Sequence, residues 1–230
     1  MKKKALVLAV MLGVTCWYAG LEAAGNEPST QRHRDMLGIL KTYAPSGYYI
    51  VSSAYSLPER FVINGKAQHM TSSDPLKFTE NKSRDEADYM KNLCVVVHES
   101  CHAYQRRMGS AMAQKNSVPG ITTYFAFYIP DKNENILVPI SKRFPSKELA
   151  PLFTEEMKAW RFGMYINSSI PEMGTQYYGI YGLLDEFGAY YHNVKAAADF
   201  YPWYKKHALH DINLANKFFE GFYRDFYSYI

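Results

Sequence analysis

Apolar residues recur at three- and four-residue steps through Ala87, Met90, Leu93, Cys94, Val97 and Tyr104, which predicts a helix over about 84–108. Ser83 and Glu86 precede that run as a capping box, and Gly109 is placed to end it. Val95, Val96 and Val97 are β-branched, poor in an isolated helix but suited to a buried one. A second long periodic stretch covers Gly179 to Ala198. Shorter helices are predicted over 30–43 (Met36, Leu37, Leu40), from a Thr154 cap to about Asn167, and, beyond an interruption at Pro202, from an Asp211 cap through Leu214, Phe218 and Phe222. Tyr48 to Val51 reads as a strand after a Pro45-Ser46-Gly47 turn. Phe61-Val62-Ile63 and Lys66 to Thr71 flank Asn64-Gly65, the signature of a type I′ hairpin. Ile121 to Ile129 and Ile136 to Ile140 form a further strand pair around a turn at Pro130 to Asn135. Pro145 and Pro151 break the region that follows, and 167–175 is a loop containing Pro171 and Gly174. Strands early and helices late give an α+β class.

The first long helix carries chemistry. His98-Glu99-Ser100-Cys101-His102 is an H-E-x-x-H pentad. Residues four apart share a helix face, so His98 and His102 can present two imidazoles to one metal ion. Glu99 sits about 100° round, where its carboxylate reaches a water on the metal rather than the metal itself. The alternative is a core helix with two hydrogen-bonded histidines.

Val96 to Tyr104 resembles the extended signature of the zincin metallopeptidases. A Val stands two before the first His, the inner positions are uncharged, and an apolar residue lies two after the second His. The resemblance spans about nine residues and implies a zincin-like fold, with Zn²⁺ on His98 and His102 and Glu99 as general base. Such a site takes three protein ligands and leaves a position for water. The metzincin pattern fails, because Gln105 stands where its Gly belongs and Met108 where its His belongs. The aspzincin pattern fails too, because Gly174-Thr175 is followed by Tyr177 in place of Asp. The gluzincin pattern remains, with Glu186 as third ligand and Ala189 three residues later, as in many members. The face through Glu186 also carries Gly179, Gly182 and Ala189, small residues that let helices approach closely. The alternative for Glu186 is a capping or surface carboxylate. Asp185 is the second candidate ligand, and is preferred as a group holding one metal-bound His by its other ring nitrogen. Tyr190 is the nominated oxyanion donor, with Tyr178 and Tyr181 competing. His192 is either a transition-state donor or a solvated residue.

Composition narrows the setting. Lys2-Lys3-Lys4, an apolar Ala5 to Leu21 and small residues at Ala23-Ala24-Gly25 read as a signal peptide over 1–25, leaving a single domain over 26–230. Acylation at Cys16 and an uncleaved anchor are the other readings, and the only ones that bring a membrane partner. All three place the body outside the cytoplasmic membrane, and the short Lys-rich start suits a bacterium. Without those residues the net charge falls from +4 to +2, with no basic tract, so nucleic acid is not expected as a partner. Cys94 and Cys101, seven residues apart on one helix, are about 10 Å apart at Cα, beyond disulfide reach. The 20 Tyr need hydroxyl partners if buried, and point to a wet cleft or half-exposed faces.

The expected activity is therefore that of an exported zinc peptidase acting on a protein or peptide substrate. Its extended substrate would pair with a sheet edge, either Gln68 to Ser72 or Ile121 to Tyr128. A zincin-fold envelope binding or adhesion protein with little turnover is the alternative, and a metal-free helical protein the third.

Overall fold

The computed structural model describes residues 31–71, 74–79, 86–158 and 161–207. The signal segment, Cys16, Ser72, the Ser83/Glu86 capping contact and the Asp211 helix lie outside the described residues or side chains. The described chain is mostly helical with two small antiparallel sheets. Helices α1 (Gln31–Tyr43) and α2 (Pro45–Ser56) come first, followed by the hairpin β1 (Arg60–Ile63) and β2 (Lys66–His69). Helix α3 (Glu86–Asn116) leads into β3 (Tyr124–Ile129) and β4 (Glu134–Pro139). After a stretch of tight turns come α4 (Gly174–Tyr178), α5 (Ile180–Asp199) and α6 (Tyr201–His207). Among the described residues no helix is long and apolar enough to cross a membrane.

Helix α3 is the axis of the molecule. At 31 residues it extends about 46 Å. Met90, Leu93, Cys94, Val97, Cys101, Tyr104, Met108 and Met112 are all buried at helical spacing, so tertiary packing outweighs the poor intrinsic propensity of its valine run. Its first half packs with α1, α2 and the C-terminal part of α5 around Met36, Leu40, Val96, Val97, Ala196 and Phe200. Its second half packs against α2 and β3 around Ile50, Tyr104, Met108 and Ala126. Cys94 and Cys101 are free, buried thiols.

The hairpin forms as its sequence predicts. Asn64 and Gly65 take positive φ, 50° and 74°, and pair Ile63 with Lys66 across the turn. Strands β3 and β4 pair from Tyr124↔Pro139 to Ile129↔Glu134, with Asn133 left-handed in the connection.

Four expectations are corrected. Gly109 does not end α3, which continues to Asn116. A Cβ there would lie 2.6 Å from the Tyr124 carbonyl oxygen, so this glycine lets β3 cross the helix closely. Pro45 to Val51 is not a turn and strand but the start of α2, with Pro at its first turn. Gly47, Ile50, Val51 and Ala54 are buried at helical spacing, and that burial overrides the β preference of Tyr48 to Val51. Thr154 makes no capping bond and no long helix follows it. The chain instead forms a short turn at Glu155–Met157 and a single π-type turn at Phe162–Ile166. The carbonyls of Tyr165 and Ile166 accept from Ser146 Oγ and Gln176 Nε2, side-chain donors that take the place of helical ones. Finally, Gly179 and Gly182 do not serve contact with α3. A Cβ on Gly182 would meet the Gly174 carbonyl at 2.3 Å and one on Gly179 the Phe144 carbonyl at 2.0 Å. Close approach to α3 comes at Gly188, beside Gln105, while Ala189 is wholly buried.

Candidate metal centre

Helices α3 and α5 pack so that the pentad faces the start of α5 across a cleft of about 980 Å³. Gln105 of α3 reaches across to α5, its amide donating to the Asp185 carbonyl at 3.3 Å, and also to Cys101 Sγ on its own helix at 3.0 Å. His98, Glu99, His102, Asp185, Glu186 and Tyr190 all line this cleft, so the preferred ligands, base and oxyanion donor come to one place. His98 Nε2 and His102 Nε2 lie 3.2 Å apart. Glu186 Oε2 is 3.8 Å from the first and 3.7 Å from the second. These three ligand atoms form the one group of its kind found among the described residues.

The donor set fits a divalent ion. Ligands about 2.0–2.2 Å from an ion at tetrahedral corners lie about 3.3–3.6 Å from one another, close to the distances observed. Glu186 Oε2 is buried with no hydrogen-bond partner, as is Asp185 Oδ1. A buried carboxylate oxygen aimed between two imidazole nitrogens is costly unless a cation takes the position between them. The group can therefore hold a metal ion.

Asp185 has the role preferred from sequence. Its Oδ2 lies 2.8 Å from His102 Nδ1, which holds the ring and leaves Nε2 facing His98 and Glu186. The electrostatics follow from burial and from this crowd of acids. Burial pulls His102 down, but Asp185, with Glu186 and Glu99, outweighs it and holds the imidazole up at about 9. His98 is pushed down to about 3 by burial, with His102 and Arg161 acting in the same direction. Burial raises Glu186 to about 7, helped by Asp185 and Glu99 against His102.

Tyr190 lies against the site, its ring centroid 4.4 Å from that of His98. Of its competitors, Tyr178 lines the cleft, while the Tyr181 hydroxyl turns away to Ser141 at 3.3 Å. His192 is neither a donor in the cleft nor solvated. It is buried, stacked on Tyr128 of β3 with ring centroids 6.0 Å apart. Of the two strands considered for substrate, the chain just beyond β2 reaches the cleft at Thr71, and no residue of β3 lines it. Two contributors escaped sequence reasoning: Arg161, just before the turn at Phe162–Ile166, and Tyr165 within it, both of which meet Tyr190. The only signal was a single Arg in an aromatic run, four residues before a Tyr.

Comparison of the chain with models of protein families, with curated proteins and with solved structures gave no match.

Proposed function

We propose that this chain is an exported zinc-dependent peptidase that hydrolyses peptide bonds with Glu99 as general base. The observation that carries the reading is the convergence of His98 Nε2, His102 Nε2 and Glu186 Oε2, an oxygen with no hydrogen-bond donor, in one cleft with Glu99. The similarity of Val96 to Tyr104 to the zincin signature supports zinc as the ion and peptides as the substrate. A zinc ion, when bound, acts as a Lewis acid and lowers the pKa of water to about 7.

The residues divide the remaining work. His98, His102 and Glu186 hold the ion, and Asp185 fixes the His102 ring. Glu99, one step round the helix, takes the proton from the attacking water and returns it to the leaving amine. Tyr190, packed on His98, donates its hydroxyl proton to the carbonyl oxygen as charge develops there. The cleft runs on past the pentad to Tyr55, Phe78 and Thr71, room for several residues of an extended chain. Export rests on the character of residues 1–25.

The test is a zinc-reconstituted preparation of the chain assayed on an unfolded protein substrate and on peptide libraries. Cleavage that disappears in Glu99→Gln while zinc remains bound is the expected result. Zinc bound at full occupancy with no cleavage of any peptide would replace the peptidase by a metal-binding envelope module.

A further inference from the structure

Across the cleft from α3, Arg161 and Tyr165 stand at the two ends of one turn of chain. Arg161 is buried, and its guanidinium carbon lies 4.5 Å over the Tyr190 ring and 5.8 Å over the Tyr165 ring. One terminal nitrogen donates to both hydroxyls, to Tyr190 closely and to Tyr165 at 3.4 Å. The hydroxyl oxygens are 3.0 Å apart. A guanidinium carries only donors, so each phenol oxygen is engaged as an acceptor and its own single proton must point elsewhere. Tyr165 and Glu186 line the same cleft, and the Tyr165 hydroxyl acts on the Glu186 carboxyl to hold it down against the pull of burial. With the Tyr165 proton on Glu186, the proton of Tyr190 is left to rest on Tyr165 or to turn into the cleft beside His98.

The turn that carries these groups is itself fixed. Ser146 Oγ donates to the Tyr165 carbonyl at 2.6 Å. Gln176 Nε2 donates to the same carbonyl at 3.2 Å and to that of Ile166 at 3.1 Å. Ser146 is fully buried and Gln176 nearly so. Rigid placement is what a buried fork needs if it is to orient two hydroxyls at once.

We propose that Arg161 is a positioning residue for the metal centre: by donating to both phenols it aims the Tyr165 proton at the Glu186 ligand and frees the Tyr190 proton for the substrate carbonyl. This rests on the metal site proposed above. It makes Arg161 and Tyr165 the counterpart, on the carboxylate ligand, of what Asp185 does for His102. Outer partners of this kind shift metal affinity about 10–100-fold when removed.

The experiment measures zinc affinity of the whole chain by competition with a chromogenic chelator, alongside thermal unfolding of the metal-free form. Arg161→Met and Tyr165→Phe are each expected to weaken zinc binding about 10–100-fold, and the double variant little more than either. Arg161→Lys is expected to recover little, since a freely rotating ammonium lacks the two N–H bonds that one nitrogen of the planar guanidinium holds in fixed directions toward the two hydroxyls. Tyr190→Phe is expected to keep the parental zinc affinity while losing turnover. Parental zinc affinity in Tyr165→Phe would overturn the proposal, as would parental affinity in Arg161→Met whose metal-free form merely melts earlier. If Arg161→Met does not fold, Tyr165→Phe decides. Failure of the parental chain to bind zinc would overturn the metal reading itself, and is seen before any variant is compared.

Discussion

His33 on α1 and His102 on α3 each meet an aspartate in the same cleft, and the two pairs end in different places. His33 Nε2 lies 3.1 Å from both oxygens of Asp74. Asp74 Oδ1 also accepts from the Tyr55 hydroxyl and the Leu76 amide, each at 2.9 Å. That pair closes on itself: the carboxylate is supplied with donors, and the group ties α1 and α2 to the turn before α3. His102 meets Asp185 through Nδ1, so that Nε2 is left to face His98 and Glu186. There Glu186 Oε2 and Asp185 Oδ1 stay buried without a donor. The same residue types in contact thus make a structural knot in one place and a candidate metal centre in the other. What separates them is the polar atom left over. A buried acceptor with no donor from the protein calls for an explanation, and beside two imidazole nitrogens an ion supplies one.

Substitution can break this contrast. The largest effect is expected at Glu99. Glu99→Gln should lower peptide hydrolysis by about 10²–10⁴-fold with zinc content unchanged, measured as turnover beside metal analysis. Chelation comes next. Stripping zinc held at 100–1,000 times its dissociation constant should cost about 3–4 kcal/mol, seen as a lower melting temperature. His33→Ala should keep that chelator-induced drop, whereas His98→Ala should lose it. A third contrast sets the two aspartates against each other. Asp185→Asn should weaken zinc about 10–100-fold, while Asp74→Asn leaves zinc affinity alone and lowers stability instead.

The smallest effect concerns acid. Burial pushes the Asp74 carboxyl up, but its bonds from Leu76, Tyr55 and His33 outweigh this and hold it below the usual carboxylate range. A depressed folded pKa stabilises above the unfolded value of about 3.9 and is lost as pH falls through the folded one. Melting curves of parental chain and Asp74→Asn should therefore converge as the pH drops below about 4. A gap that stays constant down to acid denaturation would remove Asp74 as the cause.

Much of the site was legible because its chemistry is local. The pentad is fixed by helical spacing alone, and Glu186 with Asp185 stands out as acid in an apolar stretch of α5. The hairpin was legible because Asn64-Gly65 can hardly do anything else. The missed elements depend on partners distant in sequence. Tyr48 to Val51 has strand-forming residues, yet Gly47, Ile50, Val51 and Ala54 face Val97 and its neighbours, so the fold makes them helical. That spacing was itself present in the chain, and local propensity obscured it. Gly109 looked like a helix stop because its real constraint, the backbone of Tyr124 and Phe125, enters from a later strand. Arg161 and Tyr165 were invisible for a similar reason: their turn is defined by Ser146 and Gln176 rather than by its own sequence. His192 was misread because its face depends on where α5 meets Tyr128.

The central claim is that His98, His102 and Glu186 jointly hold one ion. Metal analysis of the full chain after reconstitution and removal of loose metal tests it most directly. About one zinc per chain is expected for the parental protein and close to none for Glu186→Ala and His98→Ala. A parental chain that stays metal-free, or a Glu186→Ala variant that binds zinc as tightly as its parent, would contradict the account.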